Sequence, residues 1–135
     1  MFSYRWLEED DYDSTLVPWW KSHRWTPPLQ DFLPDNGKSG IMVSKGDIDI
    51  CAGFLYLTNS NVCFMEFLIS NFDYREEDRG DAIDFLLGVL GFVAKDSGMK
   101  YMYSTLKNKN LLDRYLKVGF IEGDKNATEL IRVLA

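Results

Sequence analysis

One stretch constrains this chain more than any other. Val62-Cys63-Phe64-Met65-Glu66-Phe67-Leu68-Ile69-Ser70 holds nine residues and a single charge, Glu66. A strand that is apolar on both faces sits inside a sheet and is covered from both sides. A polar, charged segment follows from Asn71 to Gly80. A helix is then expected from Asp81 to about Ser97, because Ala82, Ile83, Leu86, Leu87, Leu90 and Val93 recur at spacings of one, three and four. Gly88 and Gly91 weaken it by roughly 1 kcal/mol each and are read as marks of close packing on the sheet. Gly98 suits its C-cap. Tyr101 to Thr105 is the next strand, so the second half contains a strand–helix–strand crossover.

The rest of the chain fits around this unit. Phe2 to Leu7 reads as a short strand. The acidic run Glu8 to Asp13 opens a helix, since carboxylates favour a helix N-terminus, and Leu16, Val17, Trp19 and Trp20 continue it past a boundary or kink at Pro18. From Trp25 to Gly40, prolines and glycines make a loop with one helical turn near Leu29 to Leu33. Ile41 to Val43, a turn at Lys45-Gly46-Asp47, and Ile48 to Thr58 form a hairpin that leads into the apolar strand. Asn108 to Val118 is a short helix ending at Gly119. Phe120-Ile121 and Leu130 to Leu134 are expected as two last strands around Asp124-Lys125-Asn126. Mixed α/β, with a central mixed β-sheet flanked by helices in one domain over residues 1–135, follows from this order.

Charge and cysteine content remove several functions. Lys and Arg total 15 against 21 Asp and Glu, a net charge of −6. Nucleic acid is therefore an unexpected partner, because it needs a basic face. No apolar run is long enough to span a bilayer, and Met1 to Arg5 lacks a signal-peptide pattern. A cytoplasmic protein with no membrane partner is expected. The two cysteines, Cys51 and Cys63, lie in strand-like runs and read as buried reduced thiols. One histidine, His23, and two separated cysteines give no zinc pattern, so no metal is expected.

Two clusters carry chemistry. The first is the loop Arg75-Glu76-Glu77-Asp78-Arg79-Gly80 between the apolar strand and the helix. Free amides at a helix N-terminus bind phosphate, Arg75 and Arg79 can pair with phosphate oxygens, and Gly80 permits close backbone approach. A solvated cap is the alternative reading. The second is Asn108 to Phe120, an amphipathic helix with a glycine C-cap, in which Tyr115 by pattern alone is a packed helix residue.

Together these segments resemble the GNAT superfamily of N-acetyltransferases. The superfamily's fourth strand carries Glu, apolar residues, Pro, and then a pyrophosphate loop; Glu66 to Arg75 follows that order with Phe72 in the Pro place. The loop Arg/Gln-x-x-Gly-x-Gly/Ala is matched at Arg75 and Gly80 and departs at Asp78. The later motif Asn-x-x-Ala-x-x-x-Tyr-x-Lys-x-Gly-Phe is matched by Asn108, Tyr115, Lys117, Gly119 and Phe120, with Leu111 in the Ala place. The motifs cover about residues 62–121. The first 60 residues resemble short phage acetyltransferase-like proteins.

The resemblance implies an acyl-CoA N-acyltransferase fold and acetyl-CoA as cofactor. It implies that the backbone of Leu68, Ile69 and Ser70 pairs with the pantetheine arm. Arg75, Arg79, Gly80 and Asp81 would cradle the pyrophosphate, and Asn108 would contact the pantetheine or CoA end. Tyr115 is implied as the general acid for the leaving thiolate. Glu66 is implied as a base for the acceptor amine, because a protonated amine cannot attack a thioester; its structural alternative is a hydrogen-bonded carboxylate. Asp78 places a third carboxylate beside Glu76 and Glu77 where phosphates are expected, an electrostatic cost.

The segment around Trp20, His23 and Trp25 is either an aromatic cap over the sheet or an acceptor-binding lid. A small-molecule or protein amine is the acceptor expected. Three readings follow: an acetyltransferase working by direct transfer; a catalytically inactive protein of the same fold that binds a protein partner; and a homodimer packed through the aromatic segment.

Overall fold

A computed structural model describes residues 1–135. Five strands form one sheet in the order β1 (Ser3–Trp6), β2 (Ile41–Lys45), β3 (Ile48–Leu57), β4 (Val62–Ser70), β5 (Tyr101–Tyr103). The first four run antiparallel, and β5 is parallel to β4. The parallel step requires a crossover, which α3 (Arg79–Asp96) supplies.

Alternation along the strands builds two cores. Ile41, Val43, Cys51, Leu55 and Met65 face α3, whose Ala82, Ile83, Leu86, Leu87, Leu90 and Ala94 are buried against them. Met42, Ala52, Phe54 and Ile69 face the other way, onto Leu7, Leu16, Trp19, Trp20 and Leu33. That second layer is one helical run: α1 (Glu9–Asp11), a π-helical turn (Tyr12–Leu16) and α2 (Val17–Ser22). Pro18 follows the π turn, which absorbs the backbone hydrogen bond and the space that a proline denies the preceding turn. A 3₁₀ turn, Gln30–Phe32, and a turn over Pro34–Gly37 in which Asp35 and Asn36 are left-handed close the layer. A short 3₁₀ turn, Lys109–Leu111, leads into α4 (Leu112–Lys117). No helix is long and apolar enough to cross a membrane.

Three expectations are corrected. Residues 120–121 and 130–134 form no strand; Ile121 is 92% exposed and Leu130 88%. Strand propensity acts only where a partner and a face to cover exist, and β5 offers an edge of three residues. The first half of β4 is covered on one face only, since α1 and α2 do not reach it, and Phe64 is left 37% exposed. Gly88 is not a close-packing site, because a Cβ there would meet nothing within 4 Å.

Candidate functional site

The site begins where β4 and β5 part. Their pairing covers only Val62 to Phe64 and Tyr101 to Tyr103. Ser104 then turns its hydroxyl onto the Met65 carbonyl at 2.7 Å, and the Thr105 N–H donates to Glu66 Oε1 at 2.9 Å. These bonds end the ladder and fix the Glu66 carboxylate in the opening. On the other side of β4, the register with β3 shifts between Ala52↔Ile69 and Phe54↔Glu66. Gly53 alone therefore faces both Phe67 and Leu68, a β-bulge. Phe67 has φ +58, a left-handed conformation that costs about 1–3 kcal/mol and clusters at functional sites.

Tyr115 reaches the same opening from α4. Its side chain is buried and tilts against Phe120 at 5.1 Å. Burial pushes its phenol up to about 12, with the nearby Ser104 hydroxyl acting the other way. It is thus protonated at neutral pH and able to donate. Glu66 is half-buried, and this desolvation raises its carboxyl above the ordinary carboxylate value, with the bonds from Thr105 and Ser104 opposing the rise. Tyr56 lies on the far side. Its hydroxyl donates to the Phe32 carbonyl at 2.8 Å, and burial, with the Glu66 charge, pushes it up to about 12. Phe32 meets Phe67 edge-on at 5.8 Å. An aromatic wall of Phe32, Tyr56 and Phe67 therefore stands by Glu66.

The expected acceptor residues separate. Trp20 is 3% exposed and belongs to the second core, so it lines nothing. His23 and Trp25 stack at 4.9 Å at the C-terminal end of β4, and His23 meets Phe72 edge-on at 5.2 Å. His23 Nε2 lies 3.0 Å from the Ser70 carbonyl and 3.4 Å from its hydroxyl. The Asn71 N–H bonds back to Ile50 on β3. By strand alternation the Ser70 carbonyl points to the open side, so His23 holds one of the backbone groups expected to pair with pantetheine.

The loop before α3 is rearranged around Asp78. Asp78 makes no side-chain capping bond to α3. Its carboxylate turns away, to Lys45 Nζ at 2.7 Å and the Tyr74 hydroxyl at 2.6 Å. Lys45, then Tyr74, hold its pKa below the ordinary value. The Arg75 Nε–H donates to the Phe72 carbonyl, and its guanidinium lies 4.5 Å from the Phe72 ring centre, so its side chain braces the loop. The backbone amides of Gly80 and Asp81 have no partner within the protein, and they fit an anion at this helix start. Gly80 is not open space, however. A Cβ there would collide with the Arg114 guanidinium at Nη2. Asn108 Oδ1 accepts the Asn110 N–H and caps the turn before α4.

The residues legible in the sequence therefore form two neighbouring groups. Glu66 and Tyr115 converge at the parting of β4 and β5, and Arg75 to Asp81 lie where α3 starts. Ser104, Thr105, Lys45, Tyr74 and Arg114 were not read from the sequence. Only Arg114 carried a local signal, its place beside Tyr115.

No sequence-family profile matches the chain, and no curated protein sequence does. Solved structures do. The ribosomal-protein-S18-alanine N-acetyltransferase from Escherichia coli superposes with TM-score 0.71 at 16% identity, over 92% of this chain and 80% of that one. An aminoglycoside acetyltransferase from an uncultured soil metagenomic sample, in complex with sisomicin, gives 0.67 at 11%, over 99% and 97%. AAC(6')-Iy, in complex with a bisubstrate analogue of CoA and acetylneamine, gives 0.65 at 14%, over 98% and 99%. At these identities the likeness establishes the fold.

Proposed function

We propose that this chain, which has the GNAT acyl-CoA N-acyltransferase fold, is an acetyl-CoA-dependent N-acetyltransferase acting on an amine. The observation that carries this reading is the meeting of Tyr115, Ser104 and Glu66 where β4 and β5 part, beside the strained Phe67 bulge. A buried proton donor and a half-buried carboxylate of raised pKa on either side of one opening are the acid and the base that acyl transfer to an amine needs. The three neighbours reported above act on ribosomal alanine or bind aminoglycosides, and one holds a CoA-based analogue.

In this reading acetyl-CoA supplies an activated acetyl thioester. The open edge of β4 at Leu68 and the Ser70 N–H, whose carbonyl His23 occupies, would hold its amide arm, and the amides of Gly80 and Asp81, with the Arg79 cation, would receive its phosphates. Glu66 takes the proton from the acceptor nitrogen, directly or through one water. Tyr115 returns a proton to the departing thiolate. Phe32, Tyr56 and Phe67 shape the acceptor side and exclude water.

Calorimetric titration with acetyl-CoA tests the reading. Saturable binding is expected, and no binding at millimolar cofactor sinks it. With sisomicin or a peptide beginning in alanine as acceptor, Tyr115→Phe should lower kcat by about a hundredfold and leave cofactor affinity within about twofold of wild type. Unchanged turnover would remove Tyr115 from the mechanism.

A further inference from the structure

We infer that Arg114 is a positioning residue that locks the helix carrying Tyr115 onto the first turn of α3, and that residue 80 is glycine to admit it. The functional half of this inference rests on the acetyltransferase reading above.

α4 has six residues, and a helix that short has no stability of its own. Tyr115 is its only buried residue, and Leu116 and Val118 face solvent. Leu111 and Phe120, at its two ends, pack partly buried against the main core, but apolar packing is non-directional and sets no fixed rotation about the helix axis. Arg114 supplies a second hold, about 100° around the helix axis from Tyr115. Its Nη1 donates to the Gly80 carbonyl at 3.0 Å and lies 3.0 Å from each carboxylate oxygen of Asp84. Gly80 and Asp84 stand four residues apart, on one face of α3. Two holds in different directions fix the rotation of α4, and with it the line of the Tyr115 hydroxyl.

The space for this clamp exists only because Gly80 has no side chain. A Cβ at that position would collide with Arg114 Nη2 and lie 2.6 Å from its Cζ. Those atoms are the far end of a flexible side chain, so a Cβ would displace the guanidinium rather than the backbone, and its bonds to Gly80 and Asp84 would be lost. The clamp also meets the site, because the Gly80 carbonyl it grips belongs to the turn whose amides are unpartnered. Arg114 and Asp84 are 34% and 40% exposed. Ion pairs of that exposure contribute little stability, so the clamp's effect lies in placement.

The test is a double-mutant cycle between Arg114→Ala and Tyr115→Phe, with acetyl-CoA and sisomicin or an alanine-first peptide as substrates. Arg114→Ala should lower kcat about tenfold or more, the scale expected of a displaced catalytic group, with KM for acetyl-CoA within about threefold. Asp84→Asn should move kcat in the same direction, and Arg114→Lys should recover part of the loss. In the Tyr115→Phe background, Arg114→Ala should have almost no further effect, because it acts through Tyr115. Additive losses, or a rise in KM alone, overturn the inference. A wild-type protein that neither binds nor consumes acetyl-CoA defeats the transferase reading by itself. The clamp is then decided in protein labelled with ¹³C at tyrosine Cζ. A shifted or broadened Tyr115 resonance in Arg114→Ala upholds it, and an unchanged one overturns it.

Discussion

Glu66 is the residue on which the proposed chemistry turns, and the structure shows two features of it. Its Oε1 accepts the Thr105 N–H at 2.9 Å and ends the β4–β5 ladder. The same burial raises its pKa above the ordinary carboxylate value. A base must be deprotonated to act, so turnover should rise with pH through the folded pKa of Glu66. The acidic limb of kcat/KM should therefore lie above the ordinary carboxylate range of about 4.3, provided the assay stays within the pH range where the fold is intact. Glu66→Gln should abolish that limb and lower kcat about a hundredfold. The same limb persisting in Glu66→Gln would assign the base elsewhere. Asp78, the other carboxylate in doubt, is resolved by geometry. Its negative charge faces Lys45 and Tyr74, away from the amides of Gly80 and Asp81.

At the scale of elements, that contact joins the β2–β3 hairpin to the start of α3. Lys45 stands at the end of β2, beside the Gly46-Asp47 turn and outside both motifs of the candidate site. Lys45→Ala should release the Asp78 carboxylate toward the phosphate position and weaken acetyl-CoA binding about fivefold, the weight of one nearby charge in a wet site. Added salt should narrow the gap from wild type. Equal affinities at low salt would separate the hairpin from the cofactor loop. The hairpin, the strand β4 itself, the crossover helix and the short helix before Gly119 were all legible in the sequence, because each rests on local periodicity or turn chemistry. Three things were not. The bulge at Phe67 depends on the register of β3 against β4. The Lys45–Asp78 and Arg114–Gly80 contacts join residues 33 and 34 positions apart. Trp20, offered in the sequence as an acceptor residue, faces the core because the helical run that carries it packs on the sheet. Strand-forming residues at 130–134 misled for the converse reason: their local pattern had no partner to pair with.

At the scale of the whole molecule, the sheet is a floor with a helical layer on each face, and the site lies where its β5 end comes apart. The opposite edge has to be held without such an opening. β1 is four residues long, mostly exposed and paired only to β2. Arg5 on this strand gives two short bonds to Asp11, 2.8 and 2.9 Å, and one of 3.4 Å to Asp49. Asp11 also accepts the Glu8 N–H at 2.7 Å. The acidic run Glu8 to Asp13 is thus not a solvated face throughout, since Asp11 is buried and ties the first strand to the first helix. The Arg5 bonds hold the Asp11 carboxyl below its ordinary value. A carboxyl whose folded pKa is lowered contributes stability that is fully present above its unfolded pKa, about 3.9, and is lost as pH falls through the folded value. Asp11→Asn should therefore cost about 1–3 kcal/mol at neutral pH, measured by urea unfolding. The wild-type advantage over Asp11→Asn should shrink as pH falls below about 4. A gap between the two proteins that stays constant down to pH values where all carboxyls are protonated would show that the edge is held by packing alone.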